Sequence, residues 1–354
     1  MDHGSETLSV AQLRELRADP EALERPVTEH ASPLVMVHLG DGEGWDRLPA
    51  VRPTTPRVFL GWAEHVAADA PAPEAFDVLL TGGDTEPPGW VRTDDPAGTV
   101  GRIAAACATT PQAATTLVEV LRLGSRLDVE EAVAAESFAY SMLLAGPEFA
   151  AWVQAQPPRE HRPADQPVLV SDDGTTVTIT LNRPDVHHAY DAATRDALVG
   201  VLRALVSLPE PPLVLLRSTG PSFCSGGDLS QFGTTRDPVT AHGIRTSRAP
   251  GLLLHALGDR AGAVVHGSCV GAGIELPAFC ARVLATPDAT FRLPEVAMGL
   301  IPGAGGTASI PARIGRHRTA YLALAGDTIP APTALRWGLV DAVVDRDEAG
   351  GDHP

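Results

Sequence analysis

Residues 261–307 constrain the chain more than any other stretch: AGAVVHGSCVGAGIELPAFCARVLATPDATFRLPEVAMGLIPGAGGT. They read as a strand, a glycine-rich turn, a helix over 273–284, a second strand and a second glycine-rich turn. Strands alternating with helices imply right-handed crossovers and an α/β fold. Two glutamates, Glu275 and Glu295, lie 20 positions apart within the stretch. Both are expected to face one pocket.

With 354 residues, the chain is long enough for two domains. A formal charge of −17 argues against nucleic acid and against an anionic membrane surface as partners. No run of about 18 apolar residues marks a membrane span. The four cysteines, Cys107, Cys224, Cys269 and Cys280, form no CxxC pair. This usage and the lack of a secretory pattern at the N-terminus suggest a reducing, cytoplasmic setting.

A polar segment over 1–26 contains one short helix, with Ser9 as its N-cap. Apolar runs at 33–39, 58–62 and 76–81 read as buried strands of a small α/β unit. Thr110 and Pro111 open a helix to Gly124. Asp128, with Glu131 three positions on, opens another through 144. Its apolar stripe, Val129, Ala132, Val133 and Tyr140, is interrupted by Glu136. A short helix carries Phe149 and Trp152. The proline-rich, charged segment 154–167 reads as a linker. Beyond it the chain alternates: strand 175–181, helix 191–206, strand 212–217, helix 243–257, strand 263–266, helices within 310–324 and 332–338, and a strand at 339–344. The division is therefore an N-terminal extension over 1–153, the linker, a catalytic domain over 168–345 and a frayed tail over 346–354.

Glycines in Phe223-Cys-Ser-Gly-Gly-Asp228 follow a strand and let a backbone N–H point into a cleft. A plain tight turn is the alternative. Gly271-Ala-Gly273 opens the Glu275 helix, whose first N–H groups favour negative charge; a helix-entry turn is again the alternative. Glu275 and Glu295 have mostly apolar neighbours, which weakens the reading of either as a solvated surface carboxylate. Two carboxylates in one apolar cleft would have their pKa values pushed apart, so that one is an acid and the other a base. Gly267-Ser-Cys-Val-Gly271 fits a cysteine nucleophile elbow, but no His–Asp partner is evident. The histidines show no metal-ligand spacing.

Five motifs, in order and spacing, resemble the crotonase (enoyl-CoA hydratase/isomerase) superfamily. They are Leu181-Asn-Arg-Pro184, Ser222-Phe-Cys-Ser-Gly-Gly-Asp-Leu229, Gly267-Ser-Cys-Val-Gly-Ala-Gly-Ile-Glu-Leu276, the segment from Phe291 to Gly306, and ALRWGLV at 334–340. The resemblance implies a spiral of ββα repeats, preceded here by a smaller α/β or mainly helical domain, and assembly as a trimer or hexamer. It implies an acyl-coenzyme A thioester as substrate and no metal or redox cofactor. The N–H groups of Gly227 and Ala272 would form an oxyanion hole. Glu275 would activate water and Glu295 would protonate the carbon next to the thioester. Ser225, Gly226, Gly271 and Arg183 are the implied coenzyme A contacts. Having both glutamates favours hydration of an enoyl thioester over isomerisation, with another acyl-CoA activity or a non-catalytic binding module as further readings.

The chain departs from the family pattern in three places. His188 stands where Asn is usual, and Cys280-Ala281 where Cys-Asp is frequent. Family members usually continue past the last strand with helices that cover the acyl pocket. Here the helices at 111–124 and 128–145, with Phe149 and Trp152, are expected to supply that cover.

Overall fold

The computed structural model describes residues 7–19, 23, 33–40, 44–234 and 237–345. The expected frayed tail lies outside these residues, as does most of 20–32. Helix α1 (Val10–Ala18) starts where the sequence places it. The Ser9 side chain accepts from the Gln12 N–H, and the Gln12 side chain accepts from the Ser9 N–H. This reciprocal capping satisfies two donors that a helix start leaves free.

Strands β1 (Leu34–His38), β2 (Val58–Ala63), β3 (Val78–Thr81) and β4 (Val91–Arg92) form one parallel sheet in chain order. Their continuous apolar runs follow from burial on both faces. One face holds Leu13, Phe59, Phe76 and Trp90. The other presents Leu60, Val78 and Leu80 to the main core. Over that core lie α2 (Pro96–Thr109), α3 (Pro111–Gly124), α4 (Val129–Leu144) and α5 (Pro147–Ala155). Helix α2 and strand β4 were not foreseen. Consequently Thr110 is not a side-chain cap for α3: its Oγ1 donates backward to the Ala106 carbonyl, closing α2.

The second part contains a six-stranded sheet in the order β13-β10-β8-β7-β6-β5. The strands are β5 (Val168–Asp172), β6 (Thr176–Leu181), β7 (Leu213–Ser218), β8 (Ala261–Val265), β10 (Arg282–Ala285) and β13 (Ala342–Val343). The β5–β6 pair is antiparallel and the remaining pairs are parallel. A small sheet combines β9 (Ser268–Val270), β11 (Thr290–Arg292) and β12 (Ile329–Pro330). Strand β8 of the large sheet is followed by β9 of the small one, and β10 by β11. This is the expected ββα spiral.

Helices α6 (Ala192–Val206), α7 (Pro238–Ser247), α8 (Pro250–Ala256), α9 (Ala272–Glu275), α10 (Gly306–Ala325) and α11 (Ala331–Trp337) complete the fold. Two helix expectations are corrected. The helix expected over 243–257 is two, because Pro250 cannot continue α7 and instead opens α8. The helix expected over 273–284 is only α9 followed by a 3-10 turn at Pro277–Phe279, and β10 then occupies 282–285.

Residues on both sides of the 154–167 segment share one apolar core. A buried ion cluster also joins them. Arg122 of α3 donates from Nε to Asp77 Oδ1 at 2.8 Å and pairs with Oδ2 at 2.5 Å. Arg316 of α10 reaches Asp77 at 3.4 Å and Glu74 at 2.8 Å. Among the described residues, no helix is long and apolar enough to cross a membrane.

Candidate active site

The site grows from two turns pulled together by backbone pairing. Beyond β7, Cys224 bridges to Cys269: its N–H donates to the Ser268 carbonyl at 3.1 Å, and its carbonyl accepts from the Val270 N–H at 2.9 Å. A Cβ on Gly273 would lie 2.5 Å from the Cys224 carbonyl oxygen, so only glycine allows this approach. Gly271 has φ +51°, and a Cβ there would meet Glu295 Oε1 at 2.5 Å. The turn thus combines left-handed backbone with carboxylate contact.

Gly227 and Ala272 end these turns. Among the described residues, neither N–H donates to a protein acceptor. Ala272 is the first residue of α9, where the helix has no acceptor of its own to offer. Both residues line a cavity of about 250 Å3, together with Glu275 and Glu295. The four residues expected at the reacting centre therefore meet in one place.

Glu275 is 2 % exposed. Its Oε2 accepts from the N–H groups of Ala304 (2.7 Å) and Gly306 (2.9 Å). Burial pushes its pKa well above the usual carboxylate range, with further upward pressure from Glu295 and Glu136; the two N–H donors oppose this. Glu295 opens a 3-10 turn after Pro294, and its Oε2 is buried with no partner. Burial raises its pKa to about 8, its own backbone N–H and Arg292 pull it down, and Glu136 adds to the rise. Burial thus favours the protonated form of both carboxyl groups, while the two N–H donors on Glu275 favour its ionised form and Glu295 Oε2 has no partner.

A third carboxylate was not foreseen as part of the site. Glu136, on α4, is 2 % exposed and also lines the cavity. Its Oε1 accepts from the Gly305 N–H at 2.8 Å, and its Oε2 accepts from the Thr307 N–H (2.7 Å) and hydroxyl (2.8 Å). Burial lifts it to about 7 against those bonds. Glu136 and Glu275 hold the 304–307 turn at the start of α10 from opposite sides. The sequence did carry a signal, the charged interruption of an apolar stripe.

Helices α4 and α7 also line the cavity, through Val133, Ser137, Tyr140, Ile244 and Arg245. Phe149 and Trp152 pack on Phe232, a cavity residue, with ring centroids 6.2 and 6.0 Å away. Of the helices expected to supply cover, α4 lines the cavity, α3 does not, and Phe149 and Trp152 reach it only through Phe232.

The implied coenzyme A contacts lie apart from the cavity lining. The Ser225 N–H donates to the His187 carbonyl, the Gly226 carbonyl accepts from Tyr190, and the Gly271 N–H donates to the Arg292 carbonyl. Arg183 is 4 % exposed and pairs with Asp191 and Asp228 at 3.2 Å each. His161 approaches the same two aspartates, at 3.1 and 4.0 Å. The Arg183 guanidinium supplies positive charge to this cluster of His161, Asp191 and Asp228. Cys269, the nucleophile-elbow residue, is fully buried, and burial raises its thiol pKa well above the ordinary value.

Carboxyl groups and free N–H donors meet in one cavity, an arrangement that can exchange protons and hold negative charge. The sequence model of the enoyl-CoA hydratase/isomerase family matches residues 172–353. The chain belongs to that family. A mevalonyl-coenzyme A hydratase of Aspergillus fumigatus is 35 % identical over 53 % of this chain and 70 % of its own. A 2,3-dehydroadipyl-CoA hydratase of Escherichia coli is 31 % identical over 51 % and 70 %. A solved enoyl-CoA hydratase from Bacillus anthracis aligns over 52 % of this chain and 74 % of its own, at 28 % identity and a TM-score of 0.47.

Proposed function

We propose that the protein is an enoyl-CoA hydratase, adding water across the 2,3 double bond of an enoyl thioester. The observation that carries this reading is the pair Glu275 and Glu295, both buried in the cavity that the free N–H groups of Gly227 and Ala272 also line. The relatives named as acting on coenzyme A esters support the substrate class.

The thioester carbonyl oxygen sits between the two N–H groups. Water attacks C3, and its proton passes to Glu275, which must be ionised at that moment. The Ala304 and Gly306 donors on its Oε2 favour that state. The C2–C3 π electrons move toward the carbonyl, giving an enolate whose charge the two N–H groups hold. Loss of one such donor typically costs about 3 kcal/mol of transition-state stabilisation. Glu295 then protonates C2, and its raised pKa keeps that proton available near pH 7. The reaction needs no metal and no electron transfer.

Crotonyl-CoA tests the reading. Hydration removes the ultraviolet absorbance of the conjugated thioester, and the product is 3-hydroxybutyryl-CoA. Migration of the double bond without water uptake would instead indicate an isomerase. Binding without turnover of short or long enoyl-CoA would indicate a binding module.

A further inference from the structure

Three arginines line the cavity, namely Arg195, Arg245 and Arg248. Arg195 and Arg248 each pair with Asp196 at 2.9 Å. Arg245 has no such partner: among the described residues, no carboxylate forms an ion pair with it. Its guanidinium carbon lies 4.4 Å from the centre of the Tyr140 ring, and its Nη2 donates to Ser141 Oγ at 2.5 Å. Its Nε is buried with no hydrogen-bond partner at all. A part-buried cation with an unsatisfied Nε–H is costly unless a partner completes it.

We propose that the acyl group accepted by this cavity ends in a carboxylate, and that Arg245 binds it. The proposal rests on the reading of the cavity as an acyl-CoA site. Its chemistry follows from the donor set. Guanidinium presents planar, parallel N–H groups that match a carboxylate, and such charge-assisted bonds are the strong ones. The location also fits. Arg245 and the glutamates share one chamber, and Tyr140 is within electrostatic reach of Arg245, Glu295, Glu275 and Glu136. A cation in the reacting chamber meets the acyl chain rather than the coenzyme phosphates. Glu136 is the carboxylate whose charge acts on Arg245, and its oxygens are taken by the Gly305 and Thr307 donors rather than by the guanidinium.

The test is calorimetric binding of saturated thioesters in matched pairs, succinyl-CoA against butyryl-CoA and adipyl-CoA against hexanoyl-CoA. The native protein should bind the carboxylate member of at least one pair about tenfold or more tighter. Arg245→Met should abolish that preference, and Arg245→Lys should keep part of it. No preference in either pair, a preference that survives Arg245→Met, or equal weakening of both members would overturn the assignment; equal weakening would place the cation on the shared coenzyme. Saturated thioesters have no double bond to hydrate, so the preference is read independently of turnover. A protein that shows it yet hydrates nothing contradicts the hydratase reading and leaves this one standing. A protein that binds no coenzyme A thioester contradicts both.

Discussion

Glu295 illustrates how one side chain links site chemistry to stability. Its folded pKa of about 8 exceeds the ordinary 4.5. Below pH 4.5 both folded and unfolded chains hold the proton, and stability is at its fullest. Between 4.5 and 8 the unfolded chain releases the proton while the folded chain retains it, so stability falls as pH rises, by on the order of a few kcal/mol in total. Glu295→Gln removes that loss. The melting temperature of the variant should exceed that of the native protein by clearly more at pH 8 than at pH 5. An equal difference at both values would show that Glu295 is not held in its proton-retaining environment. The two cavity glutamates were conspicuous in the sequence, as acidic residues amid Gly, Ile, Leu and Pro. Arg245 was not, since a cation within an ordinary helical segment carries no local mark. His188 is a middle case. It stands where the family has Asn, and its φ of +54° lies in the left-handed region that both residues tolerate. Its Nδ1 accepts from the Arg183 N–H and its Nε2 donates to the Thr219 carbonyl, so the substituted side chain stays engaged.

At the scale of elements, α3, β3 and α10 meet at Asp77, which serves two buried guanidinium groups. Removing one member of such a group leaves buried charge uncompensated and typically costs about 3–5 kcal/mol. Asp77→Ala should therefore lower the denaturant midpoint sharply, whereas a change within experimental scatter would mean the cluster does not couple the two parts. Long, regular elements were readable: β6, α6 and α4 lie within a residue or two of expectation, each fixed by period or by a cap. Short elements were not, apart from β11, the strand ahead of the second glycine-rich turn. Strand β9 has three residues and β12 two, and their pairing is decided by the small sheet rather than by local pattern. The helix at 273–284 failed because its apolar run fits a buried strand as well as a buried helix, and Pro277 settles the matter against the helix.

At the scale of the molecule, the site is shared. Glu275, Glu295, Gly227 and Ala272 belong to the ββα spiral, while Glu136, Ser137 and Tyr140 come from the N-terminal part and line the same cavity. The proline-rich composition of 154–167 was visible, but the packing of both sides into one core was not, because no local signal says which distant helices meet. Deleting residues 1–160 should leave an insoluble or inactive remainder, having stripped both part of the cavity lining and much of the shared core. A soluble remainder with full activity would refute the covering role. In the proposed reaction Glu275 and Glu295 act together on an enoyl thioester. This is tested most directly by crotonyl-CoA hydration in Glu275→Gln, Glu295→Gln and the double variant. Each single change should lower kcat by about a hundredfold or more, and the double variant should be little slower than either, since the two act as a unit. Native rates in both single variants would contradict the account.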